Sequence, residues 1–445
     1  MSGRAGWSVA AAAVALVLGC ASDGHRPPVD PDDPRFVAAL KLPPLEPLPP
    51  DPTNAVADDP RAAVLGQALF FDRGLSANGS TSCASCHEPE LAFADGRTLA
   101  RAAGTGPRNT PTVLDSARNR WFYRDGRADT AWAQAVQPIE DTLEMASDRV
   151  AVVHHLRGDE QLTELYTLVF GEAPAAGVAV DALPEHARPV PADPADPLDV
   201  AWRALPEATR HAVDLTLARV GKALAAYERQ LVFGPGAMDR WVASVCDGDL
   251  DGCGHLSDAA VRGLLLFTGE AGCLRCHGGP RLSDGGFHNL GVPPLGGGAP
   301  SDPGRYEGLE RLAVDPFNAA GPYSDAPDGA RARDLPRLPP PSAANWGAFH
   351  TPPLRGVADT APYMHAGQLS NLAAVVRFYS TLDGAVGAGH HGESTLQPLD
   401  LSEEQQADLV AFLLSLDGAH PDPRWHRPPR REELAAALGR RAEDD

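Results

Sequence analysis

The sequence predicts a mainly α-helical fold in two tandem domains with long irregular loops, and three observations predict it. Two pentads, Cys83-Ala-Ser-Cys86-His87 and Cys273-Leu-Arg-Cys276-His277, recur along the chain, each behind an apolar run: Leu65-Gly-Gln-Ala-Leu-Phe-Phe71 and Val261-Arg-Gly-Leu-Leu-Leu-Phe267. Between them, Leu217, Val220, Ala223, Leu224 and Tyr227 keep helical spacing within Val213 to Leu231, one buried helix face. The 44 Gly and 43 Pro among 445 residues imply long connections between helices. The length itself allows two to three domains at roughly 100 to 200 residues each.

The chain begins as an exported one. Arg4 precedes an apolar run from Trp7 to Leu18, too short to span a bilayer, which ends at Leu16-Val-Leu-Gly-Cys20. The ending resembles a bacterial lipoprotein signal, residues 1–20, with Cys20 lipidated; an ordinary cleaved signal and an uncleaved anchor are the alternatives. Ala21 and Ser22, not Asp, follow the cysteine, which under the lipoprotein resemblance favours an outer-membrane anchor. Residues 21–55 are rich in Pro and Asp and read as a disordered tether. A formal charge of −21 offers no basic stripe, so nucleic acid is excluded as a partner.

The pentad spacing is that of c-type haem attachment: two thioethers to the porphyrin and an adjacent histidine positioned to bind iron. Cys83 and Cys86 would anchor one haem with His87 on its iron, and Cys273 and Cys276 a second with His277. Zinc or a thioredoxin-like dithiol would need further close ligands or a βαβ pattern, and neither is present. Attachment of this type occurs outside the bacterial cytoplasm, in keeping with the signal. Of the remaining cysteines, Cys246 and Cys253 read as a local disulfide in an oxidising compartment. The segment around them offers Asp247, Asp249, Asp251 and, at the twelfth place, Asp258, close to a calcium loop; solvated surface acids are the plain alternative.

The pentads divide the chain into an N-terminal haem domain at 56–232, a C-terminal one at 233–417 and a peripheral tail at 418–445. Gly171 to Pro197 reads as a surface insertion and Gly279 to Pro341 as a longer excursion with little periodicity. Ser402 is the expected N-cap of a last domain helix carrying Leu409, Phe412 and Leu413 inward.

Several blocks in order resemble the bacterial di-haem cytochrome c peroxidase and MauG family over nearly all of residues 60–416. They are Leu69-Phe-Phe-Asp-Arg-Gly-Leu-Ser76, Arg108-Asn-Thr-Pro-Thr112, Asp125-Gly-Arg127, Glu144-Met145, Leu266-Phe-Thr268, Thr351-Pro-Pro-Leu-Arg355 and Ala361-Pro-Tyr-Met-His365. The resemblance implies two cytochrome c-like domains facing each other. It also implies that Glu144 is the distal acid–base group over the first haem, with Gln134 beside it and Pro138 shaping the pocket. Reductively activated members close the first iron with a second histidine before the Arg-Asn block. Here no histidine lies between His87 and His154, so an open first iron is expected. His154 and His155 follow in a helix and read as surface residues.

The second iron would take its sixth ligand from the helix Leu372 to Leu382. Tyr379 stands where MauG-like enzymes have Tyr and ordinary peroxidases Met; Met364 is the competing ligand. An oxygen ligand favours ferric and higher iron. Where most of the family has Trp before Asp-Gly-Arg, this chain has Arg124, which puts the usual electron relay in doubt and leaves Trp121 or Tyr123 as substitutes or as core. Asn109 matches a residue that helps hold the family's interdomain calcium, with a carbonyl near Thr351.

The implied function is a peroxide-dependent di-haem oxidase acting on hydrogen peroxide and a small redox protein or protein substrate. The segment from Asp125 to Gln134 and Gly389-His-His391 resemble the MauG-like branch found beside copper-binding partner proteins. The competing readings are a cytochrome c peroxidase fed by a small cytochrome or cupredoxin, and a non-enzymatic electron-transfer cytochrome.

Overall fold

The computed structural model describes residue 30 and residues 32–42, 47–248, 254–386 and 396–440. Cys20 with the whole signal, the start of the tether, Asp249, Asp251, Cys253 and Gly389-His-His391 lie outside the described residues. The chain runs from α1 (Pro34–Ala39) to α2 (Pro60–Phe71), α3 (Ala131–Glu140), α4 (Arg149–Gly158), α5 (Glu160–Phe170), α6 (Pro197–Ala204) and the long α7 (Glu207–Glu228). It continues through α8 (Ala237–Cys246), α9 (Asp258–Thr268), α10 (Arg305–Val314), α11 (Ala330–Asp334), α12 (Leu372–Thr381), α13 (Glu403–Leu414) and α14 (Arg431–Ala437). Two short strands, β1 (Phe287–His288) and β2 (Phe349–His350), pair antiparallel with Phe287 opposite His350. The mainly α architecture is the expected one.

The two domains repeat one plan. α2 packs on α7, and α9 on α13. Each pair closes over a glycine: a Cβ on Gly66 would strike the Ala223 carbonyl, and one on Gly263 the Asp408 carbonyl. Axes that close bury wide apolar faces, Leu65, Leu69 and Phe70 against Leu217, Leu224 and Tyr227 in the first domain, Leu264 and Phe267 against Leu409, Phe412 and Leu413 in the second. The helix starts are written locally. Pro60 follows Asp59, whose carboxylate accepts from the Arg61 N–H. Ser402 accepts from the Gln405 N–H at 3.2 Å while Gln405 accepts from the Ser402 N–H at 2.9 Å, a reciprocal cap.

Four segments depart from the sequence expectation, each because it buries a few apolar side chains that its polar composition conceals. The tail is not peripheral. Trp425 is buried in the first core, its carbonyl accepts the Tyr227 hydroxyl at 2.5 Å, Gln67 donates to the carbonyls of Arg424 and Arg427 at 2.7 and 2.8 Å, and α14 lies on α2. The described part of the tether packs: α1 and the turn after it set Phe36, Ala39 and Leu42 into the second core, Phe36 meeting Trp241 edge-on at 5.7 Å. The insertion after Gly171 encloses a small core of Ala175, Leu183 and Ala187 with Trp202 and Val213. The excursion after Gly279 contains α10, whose Gly308 sits against the Asp125 carbonyl, so it straps the second domain to the first. Among the described residues no helix is long and apolar enough to cross a membrane.

Trp425→Ala should therefore destabilise the N-terminal domain by about 3 to 5 kcal/mol, the cost of removing a buried indole. Thermal unfolding followed at the haem absorption would show it; an unchanged Tm would return the tail to a peripheral role.

Candidate active site

Each pentad opens as a single 3₁₀ turn, Cys83–Ser85 and Cys273–Arg275. In both, the histidine N–H donates to the carbonyl of the first cysteine, at 2.9 Å for His87 and 2.8 Å for His277. Both imidazoles are then fixed the same way. His87 Nδ1 lies 3.1 Å from the Phe93 carbonyl and His277 Nδ1 2.9 Å from the Leu282 carbonyl. A carbonyl only accepts, so Nδ1 carries the proton and Nε2 keeps its lone pair for a metal. Phe93 (φ 56°) and Leu282 (φ 54°) hold left-handed backbone that non-glycine residues seldom adopt, a local cost both domains bear at the carbonyl that orients the histidine. Burial pushes both histidines below their ordinary pKa, which favours the neutral, ligating form. Phe70 and Phe267 flank the two rings at 6.3 and 6.4 Å between centroids.

One cavity joins Cys83, Cys86 and His87 to Gln134, Pro138 and Glu144, and among the described residues His87 is the only histidine in its lining. Gln134 and Pro138 come from α3; Glu144 comes from the loop behind it, held when the Met145 N–H donates to the Pro138 carbonyl at 3.1 Å. The Glu144 carboxyl is pushed up by burial and by Asp141, against the pull of Arg127 and Arg311. A carboxylate so placed is a stronger proton acceptor than one in water.

Pro138 has a second effect. It lacks the N–H that would bond the Gln134 carbonyl four residues back, and that carbonyl instead accepts the Tyr123 hydroxyl at 3.0 Å. Tyr123 is thereby held against α3 behind Gln134, with the Arg127 guanidinium 3.3 Å from its ring centroid. Trp121 lies under Arg305 and Arg120, at 4.7 and 5.2 Å. A cation over a ring opposes removal of an electron from it, so neither aromatic suggested as a relay is made easy to oxidise.

The repeat places the second site by the same rule. α3 is capped by Thr130 and α12 by Asn371; counting eight residues on from each cap reaches Pro138 in the first domain and Tyr379 in the second. Burial and the neighbouring sulfurs of Cys273 and Cys276 push the Tyr379 phenol well above its ordinary range, so it lies beside the second pentad. Met364 (φ 72°) occupies the place of Tyr123 (φ 66°), seven residues before the cap in each case.

The donor set suits two c-type haems. Paired cysteines, a histidine with Nε2 available and a cavity above it are present for the first, and the same anchor for the second. Between the domains Arg124 Nε, Arg281 Nε and His350 Nε2 are buried without a hydrogen-bond partner. The propionate carboxylates of a haem are acceptors of the kind the two guanidinium N–H groups lack, whereas burial and the neighbouring arginines push His350 down to about 4 and keep it neutral.

Other expected residues fare differently. His154 and His155 stand on α4 away from the cavity, paired with the Pro184 carbonyl at 3.0 Å and Asp72 at 2.6 Å. Cys246 is an exposed free thiol at the end of α8, and its pairing with Cys253 stays an expectation. Asp247 is exposed beyond α8, and Asp258 occupies the first turn of α9, where a carboxylate suits the helix N-terminus without any metal. At Asn109 and Thr351, where calcium is expected, both oxygens already accept hydrogen bonds. The Asn109 Oδ1 accepts from Arg124 Nη2 at 3.2 Å, and the Thr351 carbonyl accepts the Ser283 hydroxyl at 2.7 Å.

Two contributors escaped the sequence reading. Glu228, at the end of the α7 face taken as core, lines the first cavity; burial pushes its carboxyl up to about 7, opposed by the Ser116 hydroxyl at 3.1 Å. His426 of the tail meets Phe93 edge-on at 5.3 Å and so braces the residue that orients His87. A lone Glu on a helical stripe is a readable signal; a tail histidine gives none.

Comparison with known proteins agrees with this arrangement. Residues 60–245 match the model of the di-haem cytochrome c peroxidase family. The chain is 34% identical to the methylamine utilization protein MauG of Methylorubrum extorquens over 364 residues, 80% of this chain and 78% of that one. It is 33% identical to the cytochrome-c peroxidase IdrP1 of Denitromonas iodatirespirans, covering 86% and 88%. Among solved structures, a MauG-like protein associated with microbial copper homeostasis superimposes with a TM-score of 0.58 at 25% identity, over 86% of this chain and 97% of that one.

Proposed function

The chain belongs to the di-haem cytochrome c peroxidase family and is a di-haem peroxidase, an oxidoreductase with two c-type haems, and we propose that it works in the MauG-like manner. In this reading hydrogen peroxide reacts at the first haem without prior reduction of the protein, and the oxidising power passes to a protein substrate or small redox partner on the periplasmic side of the cell. The observation that carries it is the cavity holding Cys83, Cys86, His87, Gln134, Pro138 and Glu144 with no second histidine among the described residues, where proline stands at the place of Tyr379 in the twin helix.

A haem anchored by Cys83 and Cys86 and held by His87 would supply the redox chemistry of peroxide reduction. The residues around it do the rest. The Glu144 carboxylate would accept a proton from one peroxide oxygen and return it to the other, which leaves as water. Gln134 offers an amide to orient the peroxide, and Pro138, having no donor atom, keeps the distal face open. Tyr379 is the ligand proposed for the second iron, where an oxygen donor favours the oxidised states. Cys20 would tether the exported protein by lipid to the outer membrane. Likeness to the copper-homeostasis protein supports a copper-binding protein as the kind of partner.

The test uses fully ferric holoprotein, hydrogen peroxide and a reduced cupredoxin. Oxidation of the cupredoxin is expected from the first turnover. A lag removed only by reducing one haem beforehand would favour the cytochrome c peroxidase reading instead.

A further inference from the structure

We propose that the Arg124 guanidinium is a built-in cation standing where the family resemblance puts the interdomain calcium ion, so that this chain joins its two haem domains without that metal. Arg124 sits at the seam. Its carbonyl accepts the His350 N–H of β2 at 2.8 Å, which ties it to the second domain, and its Nη2 donates to Asn109 Oδ1 at 3.2 Å in the first. Asn109 is itself committed: its N–H donates to the His365 carbonyl at 3.0 Å and its Nδ2 to the Arg97 carbonyl at 2.7 Å. The one side-chain oxygen Asn109 could give a metal is therefore shared with a fixed positive charge.

Two carboxylates near the seam are already engaged. Asp125 accepts from Arg108 at 2.5 Å and from Arg127 at 3.1 Å; Asp302 takes Arg108 through both oxygens at 2.8 Å. These two carboxylates of the seam are already paired with arginines, so neither is free to offset a calcium ion that would meet Arg124 at Asn109. Burial and Arg108 push the Arg124 guanidinium down to about 10, which still leaves it protonated at neutral pH. Its Nε is buried without a hydrogen-bond partner, and an acidic group such as a haem propionate is the kind of acceptor it lacks. The exchange of the family's tryptophan for Arg124 and the loss of the calcium are on this account one change.

The experiment is metal analysis of the holoprotein after equilibration with millimolar calcium and desalting, beside thermal unfolding with calcium or with the chelator EGTA. Wild-type protein should retain no stoichiometric calcium, and neither its Tm nor its ferric absorption should respond to calcium or EGTA. Arg124→Gln empties the position of charge, and this variant should take up one calcium per chain and gain a calcium-dependent rise in Tm of a few degrees. Arg124→Lys keeps a cation and should stay indifferent. Wild-type protein that holds one calcium per chain would overturn the proposal, as would an Arg124→Gln variant that folds and ignores calcium. If that variant does not fold, the wild-type content and the lysine variant decide. None of these readouts depends on the peroxide reaction, so failure here is separable from failure of the proposed function.

Discussion

Glu144→Gln is expected to slow the reaction of the ferric protein with hydrogen peroxide by about a hundredfold to ten-thousandfold, the usual contribution of a positioned acid–base group. Glutamine keeps the volume and the loop that Met145 pins to Pro138, so the haem spectrum and Tm should hold while the rate falls. The pH profile makes the role specific. Burial and Asp141 raise the Glu144 carboxyl; the form that accepts a proton is the ionised one, so the wild-type rate is full above that raised value and declines as pH falls through it. In the variant that limb should vanish. Stopped-flow absorption across pH measures both, and a variant within a few-fold of wild type would remove Glu144 from the chemistry.

Tyr379→Met is expected to raise the potential of the second haem by on the order of a few hundred millivolts, since replacing an oxygen donor by a thioether favours ferrous iron. The resting protein should then become reducible at one haem under mild conditions and behave more like a reductively activated peroxidase. Spectroelectrochemical titration reads the shift directly. An unchanged potential would mean that Met364, or no residue of α12, binds the second iron.

What the sequence carried well is what local chemistry dictates. Covalent haem attachment needs two cysteines and a histidine at fixed spacing, so Cys83, Cys86 and His87 and their counterparts are readable from a few residues. Helix starts at Ser402 and the α7 stripe follow from equally local rules. The distal group was legible only through resemblance, because Gln134, Pro138 and Glu144 form a site by folding a loop back on α3. What was hidden depends on distant partners. Trp425 is one indole in a charged segment, and nothing near it in sequence says that α2 and α7 leave a place for it. Asn109 fits a calcium site locally, and only the fold shows that Arg124, fifteen positions on, donates to its oxygen. The docking of Tyr123 on Gln134 likewise follows from an N–H that Pro138 does not have, an effect visible only once both segments are in place.

The central claim, an open first iron beside a working carboxylate in the resting protein, has a direct test in the absorption spectrum of the fully ferric holoprotein before and after one equivalent of hydrogen peroxide, with no reductant present. Prompt loss of the ferric bands, with both haems responding, is the result expected. A spectrum that stays ferric until one haem has been reduced would contradict it, and would mean that a ligand closes the iron held by His87.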